Sequence, residues 1–350
     1  MVGGFVMGNP FNITFGEIPT SAINRNSDIE IIKKSFMDET PDTKVYIITG
    51  PRGSGKTTLL TQLKHDFYNE HFLTVDLNPF NPLEEQLAAK IYEQGRLAKL
   101  FLQPEFSFSF QGITFSLKGK IEINNVFTLL DRILSYLKKK QVRVLVTIDD
   151  VSSSSNMKSF IYTYQQMIRE GYDIFFLMSG LYENISELEN NKSLTFFLRA
   201  PKLILKPLNM TSIAYSYKKL LNLDDQKAAE YAKMTKGYAY GYQLLGSLLY
   251  KNDLDNNVIT EYDIKLNENA YALIWETMTN KEKEILKAMT KSEDIKELLS
   301  ILNMGNGNFQ TYRKRLIDKG ICESSERGKI SYALPRFNQF VLMQIVLDDF

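Results

Sequence analysis

The sequence Lys44-Val-Tyr-Ile-Ile-Thr-Gly-Pro-Arg-Gly-Ser-Gly-Lys-Thr57 places a glycine-rich loop directly after a short apolar run. The run, residues 44–49, is rich in β-branched side chains and predicts a buried strand. Apolar residues then recur at helical spacing between Leu59 and Phe67, so a helix is expected after the loop. A strand, a glycine loop and a helix in this order predict a P-loop, in which backbone amides and a helix N-terminus bind phosphate.

The residue types within the loop fit different parts of a bound nucleotide. Gly50, Gly53 and Gly55 let the backbone approach an anion closely. Lys56 is expected to reach the β- and γ-phosphates, and the Thr57 hydroxyl to bind Mg²⁺. The predicted nucleotide-binding residues of the loop are Gly50, Pro51, Arg52, Gly53, Ser54, Gly55, Lys56, Thr57 and Thr58. We expect the nucleotide to be ATP, bound with Mg²⁺ and converted to ADP.

A second buried strand, predicted over residues 142–148, ends in two acidic residues, Asp149 and Asp150. A P-loop needs an acid at the end of a neighbouring strand to hold Mg²⁺. Asp149 is the candidate for this role, and Asp150 is placed to orient or deprotonate an attacking water molecule. A strand that ends in two acids is often only a solvated turn, and the P-loop favours the functional interpretation here.

Three further apolar runs predict strands of the same layer, over residues 71–77, 173–178 and 202–206. Helical stretches separate the strands, over residues 83–100, 125–139 and 156–170. This alternation predicts an α/β fold with a mostly parallel sheet that is covered on both faces. Ligands of such sheets bind at the carboxyl ends of the strands, where Gly50, Asp149 and Ser179 are all expected.

The composition is that of an ordinary soluble globular protein with more than one domain. The 350 residues are 44% hydrophobic and 24% charged. The net charge of +1 provides no general attraction to nucleic acid or anionic lipid, so such binding requires a local patch. Cys322 is the only cysteine, which excludes an intramolecular disulfide and a cysteine-based zinc site. We expect a cytoplasmic protein without a membrane partner, since no signal peptide or membrane span is evident.

The C-terminal part of the sequence changes to helical segments. Helical spacing predicts segments over residues 211–221, 224–235, 240–250 and 261–277. Thr279-Asn-Lys-Glu282 is a capping box that starts a further helix, and two more are predicted over residues 294–302 and from Phe309 onward. A hairpin follows with its tip at Glu326-Arg-Gly-Lys329. Three helices and a two-stranded wing describe a winged helix-turn-helix, whose third helix can enter a DNA major groove.

The third of these helices and the wing carry a local excess of basic residues. Between Asn308 and Arg336 there are seven lysines and arginines against three acids, a balance of +4. We expect contacts with duplex DNA from Gln310, Arg313, Lys314, Lys319, Arg327 and Lys329. The alternative is a solvated helix face in a domain that contacts proteins.

Residues 104–118 alternate apolar and polar side chains on both sides of Gln111-Gly112, which predicts a β-hairpin. Its phenylalanines either cover the edge of the core or form a projecting surface for subunit or DNA contact, since an exposed strand edge invites pairing.

On these motifs the chain resembles the AAA+ superfamily, and within it the archaeal origin-recognition initiators and bacterial relatives with a C-terminal winged helix. The resemblance also rests on shorter motifs in matching order: Asn9-Pro-Phe11, Phe15-Gly-x-x-Pro19, Asn24-Arg25, Met178-Ser179-Gly180, Arg199-x-x-x-Leu203 and Lys236-Gly-Tyr-Ala-Tyr240. It implies a P-loop ATPase domain over residues 1–207, a helical lid over 208–268 and a winged-helix domain over 269–350.

The resemblance also implies roles for individual residues. The segment around Arg25 would wrap the adenine, and Ser179 would sense the γ-phosphate. Arg199 would act as an arginine finger toward a neighbouring subunit of a homo-oligomer. Two departures from the family pattern imply a nucleotide switch more than a fast motor. Asp150 replaces the usual glutamate, which implies slow turnover, and Tyr238–Gly246 has no basic residue where a second sensor would lie, which implies weak sensing of ATP by the lid.

The sequence therefore favours an ATP hydrolase that acts as a nucleotide switch and controls duplex DNA binding or assembly on DNA. The alternative is a signalling ATPase whose winged helix and 104–118 hairpin bind proteins. A small-molecule kinase is disfavoured, because the sequence offers no evident acceptor pocket.

Overall fold

The structure is a computed structural model that describes residues 8–14, 17–94, 106–110, 113–116, 121–122, 126–191, 194, 197–253, 255–324 and 326–348. The chain divides into two compact units. The first contains residues 1–25, 50–58 and 205–350, and the second contains residues 26–49 and 59–204.

The strands are β1 (Val45–Thr49), β2 (Leu73–Leu77), β3 (Phe106–Phe110), β4 (Ile113–Ser116), β5 (Ile121–Glu122), β6 (Val144–Ile148), β7 (Ile174–Gly180), β8 (Lys202–Ile204), β9 (Cys322–Glu323) and β10 (Ser331–Tyr332). The α-helices are α1 (Asn26–Met37), α2 (Lys56–Asn69), α3 (Leu83–Glu93), α4 (Val126–Lys139), α5 (Ser155–Arg169), α6 (Tyr182–Glu189), α7 (Met210–Leu221), α8 (Asp225–Met234), α9 (Ala239–Leu249), α10 (Asn256–Leu266), α11 (Ala272–Glu276), α12 (Asn280–Met289), α13 (Ile295–Ile301), α14 (Asn306–Asp318) and α15 (Phe337–Asp348).

A five-stranded parallel sheet in the order β2–β6–β7–β1–β8 forms the centre of the second unit. Thr49 at the end of β1 pairs with Gly180 at the end of β7, and Ile148 at the end of β6 pairs with Met178. The carboxyl ends of these strands therefore lie at one edge of the sheet. The structure confirms the predicted α/β fold with a parallel sheet.

Both faces of this sheet are covered by helices. Phe175 and Phe176 are consecutive residues of β7, so their side chains point to opposite faces. The Phe175 ring lies 4.9 Å from the ring of Phe36 in α1, and the Phe176 ring lies 5.1 Å from that of Tyr164 in α5. All four rings are buried, and β7 is buried along its whole length, as expected of a strand with both faces covered.

Some element boundaries differ from the sequence prediction. β2 begins at Leu73 and not at residue 71, because His71 has a left-handed φ of 67°, which a strand does not contain. β7 continues past the predicted end at Met178, and β8 ends at Ile204. The helix predicted over residues 83–100 is seen as α3, and residues 95–100 lie outside the described residues.

The hairpin predicted over residues 104–118 has its two strands in β3 and β4. They pair antiparallel, with Phe108 opposite Phe115, and β5 pairs parallel to β3. The turn at Gln111-Gly112 lies outside the described residues. The role of this hairpin stays a prediction.

In the first unit, the helices α7–α11 and the C-terminal helices α12–α15 share one hydrophobic core. Tyr217 of α7 contacts Tyr242 of α9 at a ring separation of 5.1 Å, and Tyr271 contacts Phe337 of α15 at 4.9 Å. The predicted helix over residues 261–277 is interrupted by a π-helical turn at Asn267–Tyr271. The division into domains at residues 207 and 268 stays a prediction.

The C-terminal segment contains three helices, α12–α14, and then the antiparallel pair β9 and β10, in the predicted order. The predicted capping box is present: the Thr279 amide donates to Glu282 Oε2 at 2.8 Å, and the Glu282 amide donates to Thr279 Oγ1 at 3.3 Å. α15 follows the pair and was not predicted from the sequence. That this arrangement is a DNA-binding winged helix stays a prediction.

The structure corrects the prediction that Lys319 lies on the exposed face of the third helix. α14 ends at Asp318, and the chain turns at Gly320, which has a left-handed φ of 71°. Lys319 itself keeps a helical backbone and lies three residues after the buried Leu316, so it falls on the buried face of the helix. Its ammonium group lies 3.0 Å from the buried carboxylate of Glu282 in α12. Lys319 is therefore not available to a DNA phosphate. Among the described residues, no helix is long and apolar enough to cross a membrane.

Candidate functional site

The glycine-rich loop leaves β1 at Thr49 and ends at Lys56, where α2 begins. Its backbone depends on glycine at two positions, Gly53 with φ of 69° and Gly55 with φ of 92°. A side chain at Gly53 would also collide with the first turn of α9, because its Cβ would lie 2.8 Å from Tyr240 Cβ. The sequence therefore contains glycine where the fold requires it.

Hydrogen-bond donors hold the carbonyl groups of five consecutive loop residues. The Lys56 ammonium group donates to the carbonyls of Gly50 and Pro51, each at 3.0 Å. The next three carbonyls have donors from elsewhere in the first unit: Tyr238 Oη to Arg52 O at 2.7 Å, the Tyr240 amide to Gly53 O at 2.9 Å, and Arg25 Nη2 to Ser54 O at 3.0 Å.

Because these carbonyls are held, the N–H groups of the following residues point in the opposite direction. In a planar trans peptide the C=O of one residue and the N–H of the next point in opposite directions. The anchored carbonyls of Arg52 and Ser54 therefore orient the amides of Gly53 and Gly55. Converging amides next to a helix N-terminus form an anion-binding site, which is what nucleotide phosphates require.

Arg25 contacts the loop through its guanidinium group, which donates to Ser54 O and, at 2.7 Å, to Lys206 O. The family resemblance implies that the segment around this residue wraps the adenine. The sequence did not predict the hydrogen bond from Arg25 to the loop backbone. The contact of Arg25 with the adenine base stays a prediction.

The start of α9, within the predicted lid, holds the phosphate loop in a way that the sequence did not predict. Tyr238 immediately precedes α9 and is buried, and burial raises the pKa of its hydroxyl above the ordinary value. The proton therefore stays on the oxygen, which can only donate to the Arg52 carbonyl. The one available signal was the position itself, because these tyrosines occur where the family resemblance expects a second sensor.

The second unit contains a separate group of predicted site residues. Asp149 directly follows β6 and is half-buried, and its carboxylate accepts hydrogen bonds from the Ser179 hydroxyl and, at 3.0 Å, from the Asp150 amide. Ser179 is completely buried in β7. The structure thus brings the predicted metal ligand and the predicted sensor together, and Ser179 orients the carboxylate.

Asp150 and Arg199 are both exposed. Asp150 adopts a left-handed conformation with φ of 52°, and the next amide, of Val151, donates to Ser179 O at 2.9 Å. The backbone therefore turns sharply at Asp150 and leaves its carboxylate accessible to solvent. Arg199 ends a 3-10 turn at Phe197–Arg199. The catalytic roles of these two residues stay predictions.

A metal ion at this site would depend on the nucleotide. Among the described residues, no group of three or more His, Cys, Asp or Glu side chains could hold a metal ion. Mg²⁺ typically binds through one or two carboxylates together with substrate phosphates and water. Thr57 in the first unit and Asp149 in the second are the ligands expected from the sequence, and their binding of Mg²⁺ stays a prediction.

The basic residues of the C-terminal segment differ in how accessible they are. Lys314, Arg327 and Lys329 are exposed, although Lys329 pairs with Glu326 at 2.6 Å. An exposed ion pair of this kind is weak and can be exchanged for a phosphate contact. Arg313 is half-buried and donates to Gln310 Oε1 at 3.1 Å and to the Ser324 hydroxyl.

The phosphate loop contacts the end of α14 within the first unit. A Cβ atom built on Gly320 would lie 2.7 Å from Pro51 Cδ and 2.9 Å from Pro51 Cγ. Only glycine therefore fits between α14 and the loop. This contact connects the phosphate loop to the helix that is predicted to read DNA.

The glycine loop, the acid-ended strand and the parallel sheet together define a P-loop ATPase. Residues 23–196 match the model of a family described as an ATPase domain predominantly from Archaea. This match covers just under half of the chain, includes both the phosphate loop and the acidic strand, and supports ATP hydrolysis by a P-loop ATPase domain. Residues 268–341 match a second family, a domain of unknown function (DUF8462).

Two solved archaeal structures share the fold over almost the whole chain. The Walker-type ATPase PabY2304 of Pyrococcus abyssi is 14% identical with a TM-score of 0.61, and the alignment covers 95% of this chain and 99% of that one. The ORC2 protein of Aeropyrum pernix, in its ADPNP–ADP complexes, is 15% identical with a TM-score of 0.59 over 97% and 98% of the two chains. No curated protein matches the sequence.

Proposed function

We propose that the chain is a slow ATPase switch, in which the nucleotide at the phosphate loop controls duplex DNA binding by α12–α14 and the β9–β10 hairpin. The contact between Pro51 of the loop and Gly320 after α14 carries this proposal. Any shift of the loop on nucleotide binding would be transmitted to α14, because a packed contact without free space does not deform gradually.

The nucleotide would bind through the amides of the loop and through Lys56. In this structure the Lys56 ammonium group donates to two loop carbonyls, and on binding it would turn to the β- and γ-phosphates. The similar fold of the ORC2 protein, solved with ADPNP and ADP, supports adenine nucleotides as the ligands.

Mg²⁺ would be held by the Thr57 hydroxyl and the Asp149 carboxylate together with the phosphates, and it would neutralise charge that develops during phosphoryl transfer. Ser179 would keep the Asp149 carboxylate in one orientation through the hydrogen bond between them. Asp150 would orient or deprotonate the attacking water molecule. Its side chain is one methylene shorter than glutamate, so we expect slow hydrolysis.

Assembly on DNA would place Arg199 at a neighbouring copy of the chain. Its exposure at the end of a 3-10 turn supports this role, because an arginine finger must reach across a surface. Residues from a second subunit would then complete the site for hydrolysis.

DNA would contact the exposed basic residues of α14 and the hairpin, with Lys314, Arg327 and Lys329 bound to phosphates. The guanidinium group of Arg313 and the amide of Gln310, both on α14, would also contact the DNA. The experiment is fluorescence anisotropy with labelled duplex DNA, over a range of salt concentrations, with and without ATP and Mg²⁺.

The test variant carries Lys314→Ala and Arg327→Ala, and the matched control carries Lys219→Ala and Lys227→Ala, two exposed lysines of the lid helices. Loss of two phosphate contacts should reduce the slope of log Kd against log salt by about 2, since each contact contributes about 0.9. The control should keep the wild-type slope. DNA affinity that is independent of both salt and Lys314/Arg327 would contradict the proposal.

A second function, a signalling ATPase that binds a protein partner, is favoured by the outer face of α15. Four apolar side chains are 42–59% exposed there: Leu342, Met343, Val346 and Leu347. Clustered exposed apolar residues often mark protein contacts. Salt-independent copurification of a partner with the wild-type chain, lost on Val346→Asp, would support this function over DNA binding.

A further inference from the structure

We propose that Tyr238 is a positioning residue for the nucleotide phosphates, because its hydroxyl holds the Arg52 carbonyl and so directs the Gly53 amide toward the phosphate site. This inference rests on the proposed binding of ATP at the loop. It adds a residue of the lid, 186 positions further along the chain, to the phosphate site.

Tyr238 acts on the peptide between Arg52 and Gly53. Tyr238 Oη donates to Arg52 O at 2.7 Å, a distance at which a hydroxyl forms a strong hydrogen bond. The peptide is planar, so fixing the carbonyl also fixes the direction of the Gly53 N–H. Gly53 has few steric restraints of its own, and an external anchor is needed to select one conformation.

The Tyr238 side chain is held rigidly by its surroundings. Tyr238 is only 5% exposed, and its ring stacks on that of Tyr271 at 6.4 Å and meets that of Tyr240 edge-on at 6.2 Å. The hydroxyl therefore has little freedom to leave the carbonyl. A buried hydroxyl without a hydrogen-bond partner costs free energy, so the hydrogen bond from Tyr238 to Arg52 stays formed.

Tyr238 also packs directly against Gly53. A Cβ on Gly53 would overlap the Tyr238 hydroxyl and lie 2.9 Å from its ring carbon Cζ. The tyrosine oxygen thus occupies the space that any other residue at position 53 would fill. The adjacent Tyr240 amide holds Gly53 O at 2.9 Å, so the start of α9 fixes two successive peptides of the loop.

The test compares Tyr238→Phe with Tyr217→Phe in the full chain. Tyr217 is a matched control, because it is fully buried and its hydroxyl also donates to a backbone carbonyl, that of Tyr242, at 2.7 Å. Each variant loses one buried hydrogen bond, so their melting temperatures should fall by similar amounts. The Kd values for ATP, ADP and AMP are measured by calorimetric titration.

We expect Tyr238→Phe to raise the Kd for ATP and ADP by about tenfold, which corresponds to about 1.4 kcal/mol. The Kd for AMP should change less, because AMP lacks the β-phosphate that the loop amides bind. Tyr217→Phe should leave all three Kd values unchanged. Hydrogen exchange of residues 50–55 should become faster in Tyr238→Phe only.

Three results would overturn the inference. Unchanged ATP affinity in Tyr238→Phe would show that the hydroxyl does not position the loop. Equal losses in both variants, or equal losses for AMP and ATP, would show a general loss of structure. A wild-type chain that does not bind ATP would instead contradict the proposed function itself.

Discussion

The ammonium group of Lys319 lies 3.0 Å from the carboxylate of Glu282, and the two side chains are only 8% and 1% exposed. Glu282 also accepts the Thr279 amide in the capping box of α12. This pair therefore connects the end of α14 to the start of α12. A buried charge that loses its partner is strongly destabilising.

Lys319→Met should lower the free energy of unfolding by about 3–5 kcal/mol, because Glu282 would keep a buried and unpaired charge. Urea denaturation followed by circular dichroism measures this change. Lys314→Met serves as the control, since Lys314 is exposed on the same helix and should change stability by about 0.5 kcal/mol or less. Equal stability of the two variants would contradict the structural role of the pair.

Asp150→Asn should slow ATP hydrolysis by about 100-fold or more, because an amide cannot accept the proton of an attacking water molecule. Asparagine tolerates the left-handed conformation that Asp150 adopts, so the backbone and the Kd for ATP should be preserved. Steady-state phosphate release and ATP titration measure the two quantities. Wild-type turnover in this variant would remove Asp150 from the catalytic role.

Gly53→Ala should abolish ATP binding for two reasons. Alanine is strained in the left-handed conformation that Gly53 adopts, and its methyl group would collide with Tyr238 and Tyr240. Gly307→Ala in the first turn of α14 is the control. Among the described residues no atom lies within 4 Å of a Cβ at Gly307, so alanine should stabilise this helix by about 0.5–1 kcal/mol. ATP titration and thermal unfolding of both variants test these expectations.

Gly320→Ala should weaken ATP binding by about tenfold, since overpacking against Pro51 costs about 1–3 kcal/mol and displaces the phosphate loop. Gly328→Ala is a matched control, because Gly328 also has a left-handed φ, of 82°. Within the described part of the chain, a Cβ at Gly328 meets no atom within 4 Å. The same Kd for ATP in both variants would rule out the contact as a connection between loop and α14.

The sequence was sufficient for the features that depend on local pattern. The run of apolar residues before Gly50 predicted β1, and the run before Asp149 predicted β6, because buried parallel strands are apolar along their whole length. The capping box at Thr279 was also visible, since its two partners are three residues apart. The sheet and the loop were predictable for the same reason.

Contacts between distant residues were not predictable in this way. We expected Lys319 on the exposed helix face, but it lies three residues after Leu316 and so on the buried face, where the distant Glu282 provides its partner. The bond from Tyr238 to Arg52 joins residues 186 positions apart. No local pattern contains that pairing, and it follows only from the packing of the first unit.

The common core of the first unit limits how the protein can be cut into pieces. Tyr271 lies just after the predicted boundary at residue 268, yet its ring contacts Tyr238 on one side and Phe337 on the other. A fragment that starts at residue 269 would therefore expose aromatic surface that the intact chain buries. Expression of the C-terminal segment alone should yield an aggregating or partly folded product, so DNA or protein partners are best sought with the whole chain.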